Sequence, residues 1–199
     1  MNRPSGKGNI SDGVRTFICI EIPGSVKERI GALQQSLRGI GAQASWVKPE
    51  NIHLTLKFLG DVDGSRLGRV RDAVERASGS TSHFQVTVGG AGCFPSPGSP
   101  RVLWVGLAGM PEELSKLHRQ IEDSLAREGF PREAKRFSPH LTIARLRAPQ
   151  NGARLAEALM NTGFGPEAFE AREVIVMRSD LNPSGSIYTP QAIIPLNAL

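Results

Sequence analysis

Hydrophobic positions fall along the chain in short blocks, some with the two-residue period of a strand and some with the 3.6-residue period of a helix. Thr16-Phe17-Ile18-Cys19-Ile20-Glu21-Ile22 is an apolar run closed by Pro23, which reads as a buried strand. Val26, Ile30, Leu33 and Leu37 then repeat at helical spacing until Gly39, and Ser25-Val26-Lys27-Glu28 has the form of a capping box at the start of that helix. Trp46-Val47-Lys48-Pro49 precedes a strand pattern, His53 to Leu59, closed by Gly60. Leu67, Val70 and Val74 mark a second helix ending near Gly79, and Phe84 to Val88 alternates as a strand. The segment Gly89 to Pro100, with four Gly and three Pro, reads as a loop or irregular edge. Arg101 to Leu107 is a strand. Leu114, Leu117, Ile121 and Leu125 form a third helix, with Glu112 and Glu113 in its first turn and Gly129 beyond it. Ser138 to Leu146 reads as a strand and Arg154 to Met160 as a weaker helix. Two late strands, Glu173 to Met177 and Tyr188 to Ile194, flank a turn at Asn182-Pro183-Ser184-Gly185. Several strand pairs are joined by loops too short for a crossover helix, so the fold class is α+β with antiparallel pairing.

Composition narrows the class without naming a function. The 199 residues are enough for a self-sufficient core, and 39% hydrophobic with 22% charged residues is ordinary globular usage. No apolar stretch approaches the ~18–20 residues of a membrane span, so no membrane partner is expected. The leader, residues 1–13, is polar and glycine-rich and is expected to be disordered; lacking a signal-peptide core, it points to a cytoplasmic protein. Cys19 and Cys93 match neither a disulfide framework nor a zinc spacing and sit among apolar neighbours as core residues. The net charge of +5 comes from 24 cations, 18 Arg and 6 Lys, against 19 acids. That balance suits a polyanionic partner but equally suits a solvated basic surface.

The chemistry lies in a repeat. His53-Leu54-Thr55-Leu56-Lys57-Phe58-Leu59 and His140-Leu141-Thr142-Ile143-Ala144-Arg145-Leu146 stand 87 residues apart, identical at four of seven positions, each preceded by a strand–helix pattern. On a strand, His and Thr at i and i+2 point the same way, about 6.5–7 Å apart. Two such strands side by side bring two imidazoles and two hydroxyls to one cleft. Two histidines can serve as general acid and general base across a reacting phosphorus, and two threonine hydroxyls can hold its non-bridging oxygens. The other readings are a structural duplication or a metal pair; zinc wants three or four ligands, and neither motif holds Asp, Glu or Cys, so no metal and no cofactor is expected. Arg145, at its strand's end, can bend back toward the cleft, and Lys57 alternates onto the face of His53 and Thr55 as a cleft-rim candidate. Phe58 or Phe137 could stack on a base or belong to the core, and His83 and His118, outside the motif, read as surface or structural.

The two His-x-Thr motifs are joined by Trp46-Val47, by Phe94-Pro95-Ser96-Pro97 before Arg101-Val102-Leu103-Trp104, by Phe137-Ser138-Pro139, and by Pro183-x-Gly185-x-x-Tyr188. Together they resemble the two-histidine phosphoesterase superfamily and, within it, the RNA 2′,3′-cyclic phosphodiesterases, also known as the 2′-5′ RNA ligase family, from about Arg15 to Ile194. The resemblance implies one bilobal domain over residues 14–199, a pseudo-two-fold duplication whose two antiparallel sheets form a V-shaped cleft with helices outside. It implies metal-independent hydrolysis of RNA 2′,3′-cyclic phosphate ends to 2′-phosphates. His53 would be the general acid and His140 the general base, with Thr55, Thr142 and Arg145 binding the phosphate. The implied partner is an RNA end, taken by a monomer. The alternatives are 2′-5′ joining of RNA ends, the same chemistry reversed, and a non-catalytic RNA-binding module, which loss of a motif residue would have favoured.

Overall fold

The computed structural model describes residues 13–183 and 185–198. The expectation for the leader therefore lies, apart from Gly13, outside the described residues. In chain order the elements are β1 (Val14–Glu21), α1 (Gly24–Arg38), β2 (Ala44–Trp46), β3 (His53–Val62), α2 (Leu67–Ser78), β4 (Phe84–Phe94), β5 (Val102–Leu107), α3 (Glu112–Arg127), β6 (Leu141–Leu146), α4 (Gly152–Thr162), β7 (Glu167–Ala171), β8 (Glu173–Asn182) and β9 (Gly185–Pro195). The strands form two antiparallel sheets, ordered β3-β1-β8-β9 and β2-β6-β5-β4-β7. They touch where β3 meets β6 and flank a V-shaped cleft. The fold is thus the α+β, two-sheet arrangement that the sequence implies.

The duplication is visible in the sheet orders, because β3-β1-β8-β9 and β6-β5-β4-β7 correspond strand for strand. Each sheet borrows from the other half of the chain. β8 and β9, late in sequence, complete the sheet begun by β1 and β3, while β4 and β2 complete the sheet of β5 and β6. The helices cross over as well: α2 packs with α3 against β8, β9 and β3, and α1 packs with α4. Their apolar stripes are fully buried, Val26, Ile30 and Leu37 on α1 and Leu114, Leu117, Ile121 and Leu125 on α3. Each such side chain contributes about 1.5–3 kcal/mol by leaving water. Among the described residues no helix is long and apolar enough to cross a membrane.

Three local expectations fail for physical reasons. The capping box at Ser25 is not made: α1 starts already at Gly24, so Ser25 sits inside the first turn, and its hydroxyl donates to Glu167 Oε1 at 2.9 Å. The stretch Gly89 to Pro100 is a loop only from Pro95 on, because β4 runs on to Phe94. Its glycines serve packing and register: Gly90 takes φ +73° at a bulge between Val88 and Ala91, and a Cβ on Gly92 would fall 2.5 Å from the Trp104 ring. Finally, β7 went unread because Glu167-Ala168-Phe169-Glu170-Ala171 has only one large apolar residue; it is an edge strand, paired with β4 alone.

Candidate active site

Each His-x-Thr opens a strand that carries one extra residue three places after the histidine. β1 pairs Cys19 with Thr55 and Ile18 with Lys57, leaving Leu56 unmatched. β5 pairs Trp104 with Thr142 and Leu103 with Ala144, leaving Ile143 unmatched. A bulge of this kind reverses the alternation of faces. Leu56 and Lys57 are consecutively buried, as are Ile143 and Ala144, and the next residue, Phe58 or Arg145, returns to the cleft. Phe58 and Arg145 are therefore equivalent positions in the two halves.

The bulge corrects two expectations. Lys57 is not at the cleft rim: it is 1% exposed, and its Nζ donates to Glu122 Oε1 at 2.6 Å and to the Pro131 carbonyl at 2.9 Å. The other carboxylate oxygen of Glu122 accepts the Glu133 N–H, so the ammonium and both carboxylate oxygens of this buried pair have partners. Arg145, for its part, reaches the cleft because the bulge puts it on that face, not by bending back from a strand end.

His53, Thr55, His140, Thr142 and Arg145 all line one cleft of about 470 Å³. Both imidazoles are held by the same device. His53 Nδ1 lies 2.9 Å from the Asn51 carbonyl, and His140 Nδ1 lies 2.7 Å from the Ser138 carbonyl. A carbonyl can only accept, so Nδ1 carries the proton in both rings and Nε2 is left for the cleft. The surroundings then differ. His53 is stacked on Phe17 at 4.6 Å between ring centroids and meets the edge of Tyr188 at 5.3 Å. Burial lowers its pKa from 6.5 to about 4, with the Asn51 carbonyl pulling the other way. His140 meets Phe94 edge-on at 5.0 Å, and burial, with help from the Arg145 charge, holds its pKa below the ordinary value against the pull of the Ser138 carbonyl.

Two elements outside the motif strands fix the geometry. Gln34 of α1 is buried and donates from Nε2 to the carbonyls of Val47 (2.7 Å) and Ile143 (2.9 Å), tying the helix to the bulge of β6. Asn51, whose carbonyl orients His53, donates from Nδ2 to the Ser186 carbonyl at 2.8 Å and so couples that turn to β9. Lys48 and Tyr188 also line the cleft. Reasoning from spacing alone missed both as site residues, since neither belongs to the repeat; Tyr188 was legible only as part of the Pro-x-Gly-x-x-Tyr motif.

Of the remaining candidates only Phe58 reaches the cleft. Phe58, 54% exposed, is in the cleft, whereas Phe137 stacks on His118 at 3.8 Å and packs against the core. His83 lies with Nδ1 4.0 Å from Glu170 and outside the cleft lining. Cys19 and Cys93 are buried free thiols, and burial pushes both pKa values up, as befits core residues. Among the described residues no three His, Cys, Asp or Glu side chains stand together as metal ligands.

The LigT-like phosphoesterase family model matches the chain twice, over residues 20–104 and 105–188, which is the duplication seen in the sheets. An RNA 2′,3′-cyclic phosphodiesterase of Methanothermobacter thermautotrophicus is 35% identical over 186 residues, 92% of this chain and 99% of that protein. Another, of Thermotoga maritima, is 35% identical over 176 residues, 88% of this chain and 91% of its own length. Among solved structures, TT0787 of Thermus thermophilus superposes with a TM-score of 0.77 at 25% identity, covering 92% of this chain and 98% of its own.

Proposed function

The chain belongs to the LigT-like phosphoesterase family, and from that premise we propose that it hydrolyses the 2′,3′-cyclic phosphate at the 3′ end of an RNA, leaving a 2′-phosphate. The observation that carries the reading is the paired device in the cleft: two imidazoles, each with Nδ1 committed to the carbonyl two residues back and Nε2 free, each beside a threonine two residues on. Thr55, Thr142 and Arg145 hold the non-bridging oxygens as charge grows on them. His140 Nε2 takes a proton from the attacking water as its oxygen bonds to phosphorus. The bond from phosphorus to the 3′ oxygen breaks, and His53, protonated at both nitrogens, gives its Nε2 proton to that oxygen. No step calls for a metal, and the donor set supports that: neither motif offers a carboxylate or thiolate. Mass action in water favours this direction over end joining. One chain supplies both half-sites, which supports a monomer, and two buried free thiols suit the reducing cytoplasm.

The test is a single incubation with an RNA oligonucleotide ending in a 2′,3′-cyclic phosphate, with and without chelator. The expected product is the 2′-phosphate at an unchanged rate in both. A 3′-phosphate would mean the 2′ oxygen left instead, and loss of activity with chelator would overturn the metal-free reading.

A further inference from the structure

The cleft does not end at the histidines. A second groove of about 440 Å³ adjoins it, and the two share Phe58, Arg145, Ser186 and Tyr188 as common walls. Beyond those walls the groove continues over the open face of the sheet β3-β1-β8-β9 to Arg15 and Leu181. Register explains the alignment. Tyr188 pairs with Ser179 and Ser186 with Leu181, so these four share one face of the β8–β9 hairpin. On β1, Arg15 and Phe17 are two residues apart on the same face, about 6.5–7 Å along the strand. The floor is apolar, with Phe17 touching Phe58 and Tyr188 at centroid distances of 5.8 and 5.1 Å.

Three features of this groove are unexplained by holding one cyclic phosphate. Leu181 is 75% exposed and Phe58 54%, both facing the groove rather than a core. Arg15, which has no part in holding the cyclic phosphate, makes no ion pair among the described residues, whereas Arg178, on the neighbouring stretch of β8, is paired with Asp180 at 2.8 Å. Among the described residues no carboxylate lines the groove. Apolar platforms alternating with free guanidinium groups fit the alternation of bases and phosphates along a single strand.

Resting on the function proposed above, we propose that this groove is a subsite for the nucleotide on the 5′ side of the cyclic end. Arg15 binds the phosphate that joins that nucleotide to the terminal one, and Phe58 and Leu181 support the bases. The enzyme is therefore an oligonucleotide-end phosphodiesterase that discriminates against free cyclic mononucleotides.

The experiment compares kcat/KM for a 2′,3′-cyclic mononucleotide with that for a trinucleotide bearing the same end, using the full chain and its Arg15→Ala, Leu181→Ser and Arg172→Ala variants. Arg172, paired with Glu170 and away from the groove, removes the same charge as a control. The trinucleotide should be favoured by about tenfold or more, within the range of one charge-assisted contact. Arg15→Ala and Leu181→Ser should erase most of that preference, and Arg172→Ala should leave it unchanged. Equal kcat/KM on both substrates in the parent overturns the subsite, as does an equal loss from Arg15→Ala and Arg172→Ala. Turnover of neither substrate would instead sink the underlying phosphodiesterase reading.

Discussion

At the scale of the residue, His53 and His140 share a backbone contact and differ in what surrounds the ring. With Nδ1 of each held by a carbonyl, the proposed proton transfers are confined to Nε2, so in that mechanism removing either ring removes a transfer outright. His53→Ala and His140→Ala should each lower single-turnover kcat by about 10²–10⁴-fold. Thr55→Ala and Thr142→Ala each delete one neutral donor among several and should cost less, at most about 10²–10³-fold. Because the two transfers belong to one displacement, the double histidine variant should be scarcely slower than either single one. A folded His53→Ala or His140→Ala protein within a few-fold of the parent rate would refute the two-histidine mechanism. These four residues were legible in the sequence because the motif repeats and period-2 alternation places His and Thr together. Lys57 was misplaced because the same alternation, carried two residues further, knows nothing of the bulge at Leu56. A bulge is a property of pairing between two strands, and neither strand's own pattern announces it.

At the scale of the element, what places β6 is a buried amide on a distant helix. Gln34 stands on the apolar stripe of α1 where the helical period asks for a hydrophobe, and its two donated bonds meet the Val47 and Ile143 carbonyls. Gln34→Leu fits the pattern better but would take the donor from the Val47 carbonyl, while the Ile143 carbonyl would keep only the Val47 N–H at 3.0 Å. Each unsatisfied buried group costs about 1–3 kcal/mol, and 1 kcal/mol moves Tm by about 2–4 °C in a chain of this size. A Tm at least 2 °C below the parent is expected, with kcat falling along with it because Ile143 is the bulged residue that presents Arg145. An unchanged Tm and kcat would show that the helix merely covers the sheet. Helices α1 to α3 were readable from their apolar spacing, to within two residues at either end. Strand β4 was readable only as far as Val88, since the glycines that follow answer to Trp104 and to register with β5, both remote in sequence.

At the scale of the whole molecule, strand exchange between the halves gives two identical motifs unequal environments. β9, from the second half, brings Tyr188 against His53; β4, from the first, brings Phe94 against His140. Both rings lose water on entering these boxes, and both pKa values fall from 6.5, that of His53 to about 4. In the free enzyme at pH 7 both imidazoles are therefore mostly neutral, while the proposed mechanism needs one charged and one neutral. The productive singly protonated form grows as pH falls, so kcat/KM should trace a bell centred below pH 6.5, whose limbs belong to the coupled pair. A bound anionic phosphate favours the imidazolium, so the kcat profile should be displaced to higher pH than that of kcat/KM. The same shifts govern stability. A histidine with a lowered folded-state pKa contributes stability that is fully present above 6.5 and is lost as pH falls from 6.5 through about 4. Tm should decline across that window, before most carboxylates titrate, and the decline should be shallower in His53→Gln, which has no charge to bury. Measured together, the two profiles bear on one cause: a kcat/KM that keeps rising above pH 8, with a Tm flat between pH 6.5 and 4, would mean that neither ring is held neutral by its box.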